Sequence, residues 1–356
     1  MSDDRPSVVF FNINGAGLGH MSTCLAYAHR LRTRARPVFF SLASAVEKIH
    51  EMGFEADYFV SPSWSRTRHR YWTQQLAYRL GLLLERVRPQ VLVFDGTWPS
   101  PGLLHAAAAH GLPHIVWSDL TMYREDMHPV PVSESCFDLV IRLGEIGGRF
   151  SVDREARPGR RVTVPPVTLL RDDELLDRSA ARAALGLDSD GRHALVCLGA
   201  GNLDDPSDVA RGLTEALRER GFDVAYARAP ISVRDVSLPP GVRLLELYPL
   251  ARYLRAFDVF AGAAGYNTCC EVVQSGVPSL LVPNTSAADD QTRRAAATAR
   301  HARVCVSPCR SRRERVEAVD RLLSLAEADI PPQPPLDGAD RAAEEILALC
   351  DRGTTR

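Results

Sequence analysis

Two short segments hold most of the side chains able to do chemistry. In FNINGAGLGHM, glycines at 15, 17 and 19 follow an apolar run and lead directly into His20. A histidine at the mouth of a helix suits a general base, and the positive potential there is expected to hold it neutral. The plainer reading is a histidine that caps a helix or packs locally. Asp95 ends the apolar run VLVFDG and Asp119 ends HIVWSD. Either could orient His20 and stabilise its imidazolium, and either could be a loop aspartate bonded to its own backbone. Asp95 is the preferred partner.

The second segment is AGAAGYNTCCEVVQSGVPSLLVPNTSAADDQ, residues 261–291. Gly262 and Gly265 are expected to turn the chain sharply after a strand. The helix that follows presents free N–H groups and a partial positive charge, so Gly265, Asn267 and Thr268 are candidates for holding a diphosphate. The carboxylate of Glu271 can accept from both hydroxyls of a ribose. Thr268 and Glu271 also have capping-box spacing, and the two readings stand side by side. Asp289, Asp290 and Gln291 follow an apolar strand and suit contacts to sugar hydroxyls, or else the aspartates cap the next helix. A second glycine turn, Gly199-Ala200-Gly201-Asn202, could stabilise a departing diphosphate.

Other clusters carry less. Asp188-Ser189-Asp190 has the D-x-D pattern of metal-dependent sugar transferases, but it precedes a strand and reads as a turn. Cys305 and Cys309 lack the second pair that a zinc site needs. No metal and no bound cofactor are expected; a nucleotide sugar held by these segments would be a substrate. One of the 43 basic residues, Lys48, is lysine, which nearly excludes lysine-dependent phosphate or Schiff-base chemistry. The segment SPSWSRTRHRYWTQQLAYR places Trp64, Arg66, Arg68, His69, Arg70, Tyr71 and Trp72 close together. Aromatic platforms beside arginines suit a sugar ring or an anionic lipid-linked acceptor. A solvated helix with some core aromatics is an equal reading.

These residues need elements to position them. Short apolar runs alternate with amphipathic stretches from SVVFFNI to PHIVWSD, the pattern of a parallel sheet covered on both faces. A Pro-rich, charged stretch from about Arg154 to Asp190 breaks the alternation, which restarts at HALVCLGAGN. A strand, a Gly-Ala-Gly turn and a helix open each half. The expected fold is α/β: two Rossmann-like domains facing across a cleft, residues 1–165 and 166–337, with a last helix in 338–356 that could cross back to the first domain. A chain of 356 residues suits two domains, and its net charge of -1 argues against nucleic acid as a partner. No apolar run approaches the roughly 20 residues of a membrane span. The expected location is cytoplasmic with reduced thiols, and peripheral membrane association is compatible with it.

GAGLGHMSTCLAYAHRL resembles the N-terminal glycine loop of the lipid-intermediate N-acetylglucosaminyltransferases of peptidoglycan synthesis. AGYNTCCEVVQSGVPSLLVPN…DDQ resembles the donor-binding signature of the same GT-B superfamily, which includes UDP-glycosyltransferases of natural-product pathways. The resemblance implies inverting, metal-independent transfer from a nucleotide sugar, usually UDP- or dTDP-linked with UDP favoured, to a carbohydrate, lipid-linked or small-molecule acceptor. By position it makes His20 the base or an acceptor-side contact, with Gly17 and Gly19 beside it. Gly199, Gly201, Asn202, Gly265, Asn267 and Thr268 face the diphosphate. Glu271 holds the ribose, Asp290 and Gln291 the sugar, and the LELYPL segment at Leu247 the uracil. The natural-product pattern has His-Cys-Gly at the diphosphate turn. Here that turn is Ala264-Gly265-Tyr266-Asn267, which leans toward envelope or capsule sugars. The same fold also supports a nucleotide-sugar 2-epimerase or a silent donor-binding partner of another transferase.

Overall fold

The computed structural model describes residues 4–14, 17–125, 134–148, 151–152, 159–202, 204–232 and 235–352. Gly15 and Ala16 lie outside the described residues. The first sheet contains β1 (Ser7–Asn12), β2 (Arg36–Ser41), β3 (Glu55–Tyr58), β4 (Val91–Asp95), β5 (His114–Leu120), β6 (Leu139–Leu143), β7 (Ser151–Val152) and β8 (Arg160–Val164). Its order is β3-β2-β1-β4-β5-β6-β8-β7, parallel except for the short β7. Helices α1 (Gly19–Leu31), α2 (Glu47–Glu51), α3 (His69–Val87) and α4 (Pro101–Ala109) connect the early strands. Strand β1 shows why the sheet is covered on both faces. Val8 and Phe10 enter one apolar cluster, while Val9 and Phe11 enter another. Side chains alternate across a strand, so a run buried at every position needs a layer on each side.

The second sheet repeats the plan with β9 (His193–Cys197), β10 (Asp223–Ala227), β11 (Arg243–Leu245), β12 (Val259–Ala263), β13 (Ser279–Val282) and β14 (Val304–Val306). Its order is β11-β10-β9-β12-β13-β14, all parallel. Helices α5 (Arg178–Leu185), α6 (Ser207–Arg218), α7 (Tyr266–Ser275), α8 (Gln291–Thr298) and α9 (Arg312–Ser324) belong to this half. In each sheet the strand order reverses beside the first strand, between β1 and β4 and between β9 and β12. Open α/β sheets bind ligands in the crevice at such switch points.

The last helix, α10 (Gly338–Arg352), packs on α1 of the first domain. Ala339, Ala342, Ala343 and Ile346 are buried there. Arg30 of α1 and Arg34 in the turn after it reach Asp340 and Glu344 at 3.3 and 2.9 Å, and Arg160 pairs with Glu345. The start of α10 lies so close to the inter-domain segment that a Cβ on Gly338 would fall 1.9 Å from the Pro165 carbonyl oxygen.

Several sequence expectations need correction. The stretch 154–190 does not simply break the alternation, because β8 and α5 lie within it. The run PLARYLRAF forms a 3-10 turn, Leu250–Ala256, not an α-helix. Helix α7 starts at Tyr266 with Gly265 as its N-cap, so Thr268 sits in the first turn and cannot cap through its side chain in a box with Glu271. Gly265 itself has φ -65°, accessible to any residue, and Gly262 is a strand residue whose missing Cβ makes room for the Phe260 ring. Neither glycine is required by a sharp turn.

Candidate functional site

The switch point of the first sheet brings His20 and Asp95 together. Asn12 and Asp95 are register partners at the ends of β1 and β4, and His20 returns over them from the first turn of α1. His20 Nδ1 lies 2.7 Å from Asp95 Oδ1. The other carboxylate oxygen accepts from Ser118 Oγ at 2.6 Å, and Ser118 meets the buried Tyr27 hydroxyl at 3.1 Å. Asp95 thus favours the tautomer with the proton on Nδ1, leaving Nε2 as the acceptor.

His20 is not held neutral by the helix mouth. Burial lowers its pKa, but the Asp95 hydrogen bond and the charges of Asp95, Asp119 and Asp289 outweigh it, and the net shift is upward from 6.5. Whole carboxylate charges at short range exceed the partial charge of one helix end. Asp119 takes a different role from Asp95. It pairs with Arg142 and accepts from the Tyr123 hydroxyl. Desolvation pushes it up to about 6 despite those partners, with Asp95 adding to the rise.

Across the cleft, Gly199 and Gly201 have φ of +82° and +68°, which favour glycine. A Cβ on Gly199 would meet Ala263 of β12 at 3.9 Å, so the turn after β9 lies against the end of β12. Asn202 Nδ2 donates to the Ile231 carbonyl at 3.3 Å. Helices α1 and α7 both begin without a side-chain cap, whereas Asp177, Asp290 and Ser311 cap α5, α8 and α9. A Cβ on Gly17, Gly19 or Gly265 would enter open space. The open N–H groups at these ends suit an anion. Asn267 Nδ2 reaches the Gly19 carbonyl at 3.4 Å, so the two helix mouths face each other.

Glu271 lies one helical turn beyond Asn267. With Ser22, Thr23, Val167, Thr168, Leu169 and Asn267 it lines a slot of about 10 Å³ between the domains. That is room for one water. Desolvation pushes the Glu271 carboxyl up to about 8, against a hydrogen bond from the Ala251 backbone. Next to the slot, the Tyr248 hydroxyl meets Ser22 Oγ at 3.0 Å. Leu247 is half-buried and packs against the core.

The residues after β13 have local structural duties. Asp290 caps α8 by accepting from Arg293 N at 3.0 Å. Gln291 Oε1 accepts from Asn284 N at 3.0 Å, closing the loop on itself. Asp289 pairs with Arg294 and forms an antiparallel bridge to Tyr123 of the first domain. Sequence reading missed Arg294 and Glu145, although both are almost fully buried. No local sequence signal marked them: Arg294 stands in QTRRAAAT beside a second arginine.

The remaining candidates fall elsewhere. Trp72 belongs to the core, while Trp64 and Tyr71 are exposed, with Arg70 stacked 4.5 Å over Tyr71. Asp188 accepts from Asp190 N at 3.2 Å in a turn before β9. Among the described residues no group of three or more His, Cys, Asp or Glu side chains could hold a metal ion. No helix among them is long and apolar enough to cross a membrane.

Residues 226–329 match the Glycosyltransferase family 28 C-terminal domain. The chain is 28% identical over 231 residues to a UDP-N-acetylglucosamine--N-acetylmuramyl-(pentapeptide) pyrophosphoryl-undecaprenol N-acetylglucosamine transferase of Frankia casuarinae, covering 61% of this chain and 58% of that enzyme. The first relatives are therefore matched over little more than half their length. The Salinibacter ruber enzyme of the same name is 25% identical over the full length of both chains. Among solved structures, MurG of Acinetobacter baumannii superposes with TM-score 0.55 at 13% identity, over 96% of this chain and 100% of its own. The UDP-GlcNAc 2-epimerase of Neisseria meningitidis, bound to UDP-GlcNAc, superposes with TM-score 0.63 at 12% identity, over 96% and 100%. These structural matches establish the fold. The chain has the two-domain GT-B fold of these structures, and residues 226–329 within it are similar to the glycosyltransferase family 28 C-terminal domain.

Proposed function

We propose that the chain is an inverting, metal-independent glycosyltransferase that moves a sugar from a UDP-linked donor to an acceptor hydroxyl on a lipid-linked or envelope glycan. The observation that carries this reading is the His20–Asp95 pair, at 2.7 Å, placed at one switch point and facing the glycine turns of the other. The acceptor O–H gives its proton to His20 Nε2 while its oxygen attacks the anomeric carbon. The bond from that carbon to the diphosphate breaks on the opposite face, and UDP leaves with the electron pair. The open N-termini of α1 and α7 and the 199–202 turn stabilise its charge. Glu271 accepts from the ribose, the 289–291 loop meets the sugar, and the backbone near Leu247 meets the uracil. Since the slot at Glu271 holds about 10 Å³, ribose entry requires α1 and α7 to part. The surface around Trp64, Arg66, Arg68, Arg70 and Tyr71 suits an anionic acceptor delivered at a membrane.

Transfer is tested by incubating UDP-sugars with envelope lipid extract and detecting the glycosylated lipid by mass spectrometry. The resemblance to the epimerase, at TM-score 0.63, gives a second reading. Conversion of UDP-GlcNAc to its 2-epimer without any acceptor would replace the transferase reading. Donor binding without turnover would instead favour a silent partner.

A further inference from the structure

A turn of the first domain grips two helices of the second. The Gly144 carbonyl accepts from the Tyr266 hydroxyl at 3.0 Å, at the start of α7. The same hydroxyl accepts from Val167 N at 3.0 Å. The adjacent Glu145 holds Arg294 of α8 by two parallel hydrogen bonds, each 2.8 Å, from Nε and Nη2. The third guanidinium nitrogen, Nη1, pairs with Asp289. Arg294 is 1% exposed and Glu145 8%, so the pair lies out of water.

The loop beside this pair is bound to the first domain through its backbone. Arg124 N donates to the Ala288 carbonyl at 3.1 Å, and Asp290 N donates to the Met122 carbonyl at 3.3 Å. Asp289 thus lies between Arg294 and Tyr123, and its charge acts on His20. We propose that Arg294 and Glu145 are positioning residues, whose buried fork fixes the 285–290 loop against 122–124 and sets the gap across which the sugar is transferred. A buried ion pair is a weak source of stability, because desolvation offsets much of its attraction. Its two-bond geometry, however, specifies orientation as a single charge does not. Asp289, in the loop before α8, and Tyr266, at the start of α7, add to the grip, so the joint is determined at more than one point.

The role in transfer rests on the glycosyltransferase reading, whereas the mechanical claim does not. The test compares the parent with Arg294→Met, Arg294→Lys and Glu145→Gln by small-angle scattering, UDP titration and turnover at saturating donor. Arg294→Met and Glu145→Gln are expected to enlarge the radius of gyration and to lower turnover about 100-fold while UDP affinity holds, as a misplacement near 1 Å would. The double variant should lose no more than Arg294→Met, because both changes break one unit. Arg294→Lys should keep most of the loss.

Parent-like scattering and turnover in both single variants would overturn the proposal, and so would additive losses or full recovery with lysine. If Arg294→Met fails to fold, Glu145→Gln decides by the same readings. If the parent turns over no donor, the glycosyltransferase reading fails, and scattering alone decides whether the fork holds the domains.

Discussion

Asp95 holds His20 on one carboxylate oxygen at 2.7 Å and Ser118 on the other at 2.6 Å. The carboxylate is therefore engaged on both oxygens and restrained in rotation, and it orients the imidazole in turn. A base oriented in this way needs no movement at the moment of proton transfer.

The first prediction concerns pH. On the proposed reading His20 is the base and must be unprotonated to act, and its folded pKa is raised above 6.5. The acid limb of kcat/KM should then have its midpoint above pH 6.5. In Asp95→Asn the limb should move to lower pH while maximal turnover falls roughly 100-fold or more. The same raised value links to stability. Protonation is favoured by folding, so the pair's contribution is complete below pH 6.5 and fades as pH rises through the folded pKa. A limb unmoved in Asp95→Asn would separate Asp95 from the base.

Glu271 gives a stability prediction of the same sense over a different pH window. Its folded carboxyl titrates at about 8 against an ordinary 4.5, so the folded chain keeps a proton that the unfolded chain gives up. Stability should decline as pH rises between those values. Glu271→Gln should flatten that decline and melt higher than the parent at pH 8 in calorimetry. Above pH 8, where the carboxyl is ionised, the same variant should bind UDP at least about tenfold more weakly, since a hydrogen bond to a charged group contributes roughly 1.5–3 kcal/mol. Undiminished UDP binding would remove Glu271 from the ribose site.

The third prediction concerns the returning helix. Ile346 is fully buried between α10 and the first domain. Ile346→Ala should cost about 2–5 kcal/mol in denaturant unfolding. Gly338→Ala should cost about 1–3 kcal/mol, because a Cβ there meets the Pro165 carbonyl backbone, which cannot rotate aside as a side chain would. Unfolding midpoints equal to the parent's would show that α10 is held loosely.

The sequence made the two-domain plan readable because its parallel strands are short apolar runs, buried from both sides, between recognisable helices. SVVFFN and HALVC each open a sheet, and each is followed by glycines. Strand β8 was hidden because RRVTV pairs near a sheet edge and carries arginines that reach Glu345 and Glu134. The pairing of His20 with Asp95 followed from strand ends. The upward shift of His20 did not, since two of its three carboxylates, Asp119 and Asp289, come from other strands or the other domain. Arg294 and Glu145 escaped for a related reason. A charge buried by a partner 149 positions away leaves no local pattern. The capping-box spacing at Thr268 and Glu271 was misleading because the helix had already begun at Tyr266.

Metal dependence can be tested directly. Transfer should proceed unchanged in excess EDTA, with the helix N-termini and glycine turns stabilising the leaving diphosphate. Loss of turnover restored by magnesium would contradict this part of the proposal.

The most direct test is transfer itself, followed as UDP release together with glycosylated lipid when UDP-sugars meet envelope lipid extract. The parent should form both products in equal amounts, and His20→Ala should form them about 100-fold or more slowly while still showing the parent's thermal shift with UDP. Transfer by His20→Ala at the parent's rate with saturating donor would contradict the account.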